Sequence, residues 1–166
     1  MYLTINDFII DWKNESELTL KLLKALRDES LTQTVTAEGR SLGFLAWHIV
    51  LTLGEMGGHA GLKVNAPEEK AAVPTKASAI SSAYETAARS LAEVVKKTWI
   101  DASLREEVNM YGEKWTRAKV LSSLVKHEIH HRAQMTVLMR QAGLPVPGLY
   151  GPSKEEWSKM GMPPMK

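Results

Sequence analysis

The densest chemical signal in the chain is Lys126-His127-Glu128-Ile129-His130-His131-Arg132, a run that holds three of the five histidines. In a helix, residues at i and i+4 stand one above the other, with Cβ atoms about 5–6 Å apart, so His127 and His131 can reach a single divalent ion. A heptad register through Val120, Leu124, His127, His131, Gln134 and Leu138 puts both imidazoles where the stripe should be apolar, aimed at the core. His130 falls off that face. A third imidazole, His48, interrupts the apolar run Leu42-Gly43-Phe44-Leu45-Ala46-Trp47-His48-Ile49-Val50-Leu51, and its neighbours one turn away are Phe44, Leu45 and Leu51. Burying three unpaired polar rings costs about 1–3 kcal/mol each, whereas joint coordination satisfies one nitrogen on every ring. With no cysteine in the chain, a thiolate nucleophile of the protein's own, thiolate metal ligands and disulfides are excluded, and any metal must take histidine or carboxylate ligands.

The same residues admit a second assignment. His127-Glu128-x-x-His131 matches H-E-x-x-H, the zincin protease pattern, with Glu128 as general base and Glu155 or Glu156 as a downstream ligand. That chemistry also asks for a sheet edge to align a peptide, for which the chain has little room.

The elements that must position these residues follow from punctuation and periodicity. Between Met1 and Ala66, and again between Thr75 and Leu144, there is no proline, which long helices require. Ile5, Phe8, Ile9, Trp12, Leu20, Leu23 and Leu26 recur at helical spacing behind Thr4 and Asp7, a cap and its reciprocal acid, and predict a helix over 5–28. Ser41 caps the second, apolar helix, which fades through Gly54, Gly57, Gly58 and Gly61 into a long connection holding Pro67 and Pro74. Ile80 to Thr98 carries a third apolar stripe, and Thr116 to Gln141 a fourth, stopped by Gly143 and Pro145. Between them lies one expected extended piece around Val108 to Tyr111. The reading is an all-α four-helix bundle over residues 1–144, with a long second connection and a Pro/Gly-rich tail, 145–166, whose Tyr150, Trp157 and Met160 to Met165 pack on the bundle or on a partner.

At 166 residues and 18.5 kDa one domain suffices. A net charge of +2 is too balanced for binding to nucleic acid or a membrane surface by charge alone. Met1 to Asp11 lacks a basic region followed by an apolar run, and no stretch has the ~18 apolar residues of a membrane span, so a cytoplasmic protein is expected.

Ser41-Leu42-Gly43-Phe44-Leu45-Ala46-Trp47-His48-Ile49, then Trp115-Thr116-Arg117, then His127-x-x-x-His131-Arg132-Ala133-Gln134, together resemble the DinB family, metal-binding four-helix bundles named for a DNA-damage-inducible member. The resemblance covers nearly the whole chain. It implies a metal bound by three histidines, which map onto His48, His127 and His131, and it gives Glu128 no fixed catalytic role. Ala133 stands where the family often has glycine. Relatives include transferases that add low-molecular-weight thiols to electrophiles and hydrolase-like members. The expected function is therefore a metal-dependent enzyme of thiol transferase or hydrolase type acting on a small molecule, with nickel, zinc, iron or manganese as the ion; the alternative is a non-catalytic, metal-stabilised or stress-related bundle.

Around the histidines, Glu55 and Gln134 are candidates to orient the imidazoles. Arg132 could bind an anionic substrate group or form a salt bridge at the rim, and Trp47, Trp115 and Tyr111 could line a pocket or simply pack. A homodimer is expected, since the second helix is apolar on more sides than one bundle covers and the third offers small residues at Ala79, Ala83, Ala87 and Ala88.

Overall fold

The computed structural model describes residues 1–163; Met165, expected to pack with the tail, lies outside the described residues. Helix α1 spans Ile5–Lys24 behind a complete capping box: the Thr4 hydroxyl accepts from the Asp7 amide and the Asp7 carboxylate accepts from the Thr4 amide, each at 3.1 Å. It stops short of the expected residue 28. Asp28 instead opens a 3-10 turn, Asp28–Thr32, and spends its carboxylate on the next helix but one, accepting from the Ala77 amide and the Lys76 ammonium at 2.8 Å each. That supplies the cap that Lys76 itself lacks.

Helix α2, Leu42–His59, starts at Ser41, whose hydroxyl accepts from the Phe44 amide at 3.1 Å. It runs straight through the glycines expected to end it. A Cβ at Gly57 would stand 2.6 Å from Val64 Cγ2, and one at Gly54 would stand 2.9 Å from Ala66 Cβ. Those glycines let the 60–76 connection lie against the helix. The turn out of α2 comes at Gly61, whose φ of +81° only glycine adopts freely.

Helix α3 spans Ala77–Thr98 and α4 spans Arg117–Gln141, with Thr116 as its N-cap. Between them the fold departs from all-α. Strands β1, Glu107–Met110, and β2, Glu113–Thr116, form an antiparallel hairpin with Val108 opposite Trp115. Its two-residue turn has positive φ at both central positions, Tyr111 at 55° and Gly112 at 85°, the signature of a type I′ turn. Tyr-Gly is not the usual Asn-Gly signal, and each strand has only four residues, so the pattern reads as one short extended piece.

Helix α1 packs on α3 and α4, and α2 packs on the same two helices. Nearly all of the α2 apolar run is covered within the one chain, Phe44 being its exposed large apolar side chain. Ala87 and Ala88 are buried in the same core rather than presented to a second copy. The tail carries a short helix, α5, Lys154–Trp157, and a 3-10 turn, Ser158–Met160. Among the described residues no helix is long and apolar enough to cross a membrane.

Candidate metal centre

Helix α2 contributes His48 and α4 contributes His127 and His131. Their Nε2 atoms converge: His127 lies 3.2 Å from His48 and 3.0 Å from His131, and ligand atoms of all three lie within 4.8 Å of one another. The Phe44 ring, one turn before His48, stacks on the His48 imidazole at 6.0 Å and 13°. His131 Nδ1 is 2.7 Å from Gln134 Oε1. An amide oxygen only accepts, so this bond places the His131 proton on Nδ1 and leaves the Nε2 lone pair facing the other two rings. Burial, reinforced by the neighbouring imidazoles, pushes the His127 pKa down to about 4, and burial also lowers those of His48 and His131. All three are therefore neutral near pH 7. Neutral imidazoles with convergent nitrogens suit one divalent cation, and this group can hold a metal ion.

The DinB family sequence model matches residues 1–164. The chain belongs to the DinB family. The Bacillus subtilis (strain 168) protein YrdA is 43% identical over 162 residues, 98% of this chain and 97% of that one. The crystal structure of a DinB-like protein from Bacillus cereus ATCC 10987 superposes with a TM-score of 0.87 at 39% identity, over 90% of this chain and 100% of the other. A second DinB-like structure, YjoA from Bacillus subtilis, gives 0.65 at 17% identity over 84% and 96%, a likeness of fold.

The other residues weighed from the sequence of this DinB-family chain fall in different places. His130 is exposed, its ring 5.0 Å from that of His131, and His59 is exposed against Tyr111 at 5.5 Å. Neither joins the group. Gln134 does orient His131, whereas the Glu55 carboxylate accepts from the Tyr111 hydroxyl at 3.0 Å. Trp47 is buried and its indole donates to the Ala71 carbonyl at 2.8 Å, while Trp115 donates to Glu113 at 2.8 Å and packs on Tyr111.

Two expectations about α4 are corrected. The centre of its buried stripe is not the histidine pair but Glu128 and Arg132, each only 1% exposed, while His127 is half-buried and Gln134 exposed. Arg132 is thus no rim residue. Its guanidinium bonds the Glu15 carboxylate and the Tyr150 hydroxyl, and also donates to the Glu15 carbonyl at 2.7 Å and to Thr19 Oγ1 at 3.0 Å. Glu128 accepts from the hydroxyls of Thr19 and Tyr84 at 2.9 Å each. Burial raises its pKa to about 8 against the opposing pull of those bonds and of Arg132.

The protease assignment fails on this geometry. Glu128 is turned to α1 and α3, engaged away from the histidines. Glu156 accepts from the Gly148 and Ser153 amides and Glu155 meets Arg140 at 3.5 Å, both within the tail region rather than at the triad. Glu15 and Thr19 escape a reading built on apolar periodicity, and that reading takes Tyr84 and Tyr150 only as packing residues, without their bonds to Glu128 and Glu15. The available signal is the Glu128, Arg132 pair at i, i+4 in the same rotation as Leu121, Leu124, Met135 and Met139.

Proposed function

We propose that His48, His127 and His131 together bind one divalent metal ion, and that this DinB-family chain is a cytoplasmic, metal-dependent enzyme acting on a small molecule by thiol transfer or hydrolysis. In this reading the four long helices act as a bundle that holds the ligands from two facing elements. The observation that carries it is the convergence of three Nε2 atoms with the His131 proton tied away on Nδ1.

When bound, the ion supplies a Lewis acid with at least one coordination position open, where a thiol or water is made more acidic. The chain's own residues set the terms for that chemistry. Gln134 holds the His131 tautomer. Phe44 keeps the plane of the His48 ring, and partial exposure of His48 and His127 leaves the triad reachable from solvent, which favours a reaction centre over a purely structural site. Nickel, zinc, iron and manganese all suit three imidazoles, and availability chooses among them. We propose further that the protein pairs as a homodimer on the exposed apolar side chains Leu3, Ile10 and Ile100.

Elemental analysis of untagged protein tests the metal reading. One ion per chain is expected, lost in His127→Ala and His131→Ala and kept in His59→Ala and His130→Ala. Full metal in the variant lacking both His127 and His131 overturns it. Turnover of a panel of thiols with electrophiles and of hydrolysable esters and amides, compared with and without metal, tests the catalytic part.

A further inference from the structure

One helical turn from the triad, on the side where Leu45 precedes His48 and Gln134 follows His131, a cavity of about 360 Å³ opens between the 33–40 segment, α2 and α4. Its walls are Val35, Leu45, Val137 and Leu138, with Gln134 at the end next to His131 and Arg40 at the rim. A volume in the range of small-molecule sites, apolar walls and one or two placed polar groups are what such sites share.

Arg40 is the chemically informative residue. Its guanidinium lies 5.0 Å over the Phe44 ring, the same ring that stacks on His48, so arginine, phenylalanine and histidine form a line running to the triad. Its charge is felt at both His48 and His131. Yet among the described residues no carboxylate pairs with it, although seven of the other basic side chains have acidic partners. An unpaired cation at the mouth of an apolar cavity beside three neutral imidazoles complements a molecule with one negative end and an apolar body.

We propose that this cavity binds a small organic carboxylate, its charge paired with Arg40 and its apolar body between Leu45, Val137 and Leu138, so that the molecule lies alongside the histidine triad. The assignment gives the substrate class for the site under Proposed function and rests on that reading. The guanidinium suits the bidentate geometry of a carboxylate, and Gln134, which lines the same cavity, is bonded to His131 at 2.7 Å.

The test is calorimetric titration of the full-length, metal-loaded protein with 4-phenylbutyrate and, in parallel, with its neutral amide. The acid should bind at least 10-fold more tightly than the amide. Arg40→Gln should remove that difference, and Val137→Glu, which puts a competing carboxylate on an exposed wall, should abolish binding of the acid. Both variants should keep full metal by elemental analysis, because neither residue touches a ligand nitrogen. Equal affinity for acid and amide, or binding unchanged in Arg40→Gln, overturns the assignment. So does a dimer mass in light scattering that falls to the monomer in Val137→Glu, since the cavity would then hold a second copy. Metal-replete protein that ignores 4-phenylbutyrate overturns the cavity and leaves the triad standing, whereas Arg40-dependent binding in protein that takes up no metal supports the cavity and overturns the metal reading.

Discussion

At the scale of single residues, the bond between His131 Nδ1 and Gln134 Oε1 does more than hold a ring in place. It decides which nitrogen keeps a lone pair, and it raises the basicity of that lone pair by polarising the imidazole. Gln134→Ala leaves all three histidines present but frees the tautomer and the ring angle. Metal affinity is expected to fall ~10- to 100-fold, read by competition with a chelator, with little change in melting temperature because Gln134 is exposed.

Protonation competes with the metal for the same nitrogens. The folded-state pKa of His127 is about 4, below the ~6.5 of an unfolded histidine, and His48 and His131 are shifted in the same direction. A lowered pKa means that the unfolded chain takes up protons first as pH drops. These histidines therefore favour the fold above about pH 6.5, and that contribution is lost as pH falls through 6.5 and on toward 4. Because the folded triad holds its nitrogens neutral below the usual imidazole range, metal should be released only as pH falls toward 4, followed by chelator competition at stepped pH; affinity unchanged between pH 7.5 and 4 contradicts imidazole ligation.

At the scale of the element, α4 serves two sites from adjacent faces. His127 and His131 look toward α2, and Glu128 and Arg132, each one residue further on, look toward α1 and α3. The rotation of α4 that buries the Arg132 guanidinium against Glu15, Thr19 and Tyr150 is the rotation that delivers the imidazoles to His48. Arg132→Ala leaves the Glu15 carboxylate buried without its counter-ion, a loss that costs about 3–5 kcal/mol. Chemical denaturation should show that loss, and metal affinity should fall in the same variant even though Arg132 is no ligand. A variant that is destabilised by this amount yet binds metal as tightly as the wild type would separate the two faces.

At the scale of the whole molecule, the tail and the proposed pairing come into play. Tyr150 reaches back from beyond α4 to bond both Arg132 and Glu15, and Lys21 donates to the Gly148 carbonyl at 2.7 Å, so the 145–157 stretch is held to α1 and α4. None of Leu3, Ile10 and Ile100, the side chains proposed for pairing, lines the cavity beside the triad. Light scattering at micromolar concentration should give twice 18.5 kDa, and Ile10→Lys should return the mass to 18.5 kDa without loss of metal. A single-chain mass in the wild type rules the dimer out.

Much of this was legible in the order of residues because it is local. Thr4 with Asp7, Ser41 and Thr116 cap helices through bonds three residues long, and the i, i+4 spacing of His127 and His131 follows from helix pitch alone. The third imidazole of the group was legible as well, since a histidine inside the apolar run at 42–51 needs a partner. What stayed hidden depends on pairs far apart in the chain. Asp28 caps α3 across 49 residues and ends α1 early. Gly54 and Gly57 continue α2 because Ala66 and Val64 lie against them, so residues that break a helix in isolation here permit a close approach. The rotation of α4 turns on Glu15 and Arg132, 117 residues apart, and a buried charge pair cancels in any pattern that counts only apolar positions. Sequence periodicity thus determined the helices, the caps of α1, α2 and α4, and the three imidazoles. Tertiary packing alone decided which face of α4 is central, where the hairpin turns, and that Arg40, with no carboxylate partner among the described residues, stands beside the triad.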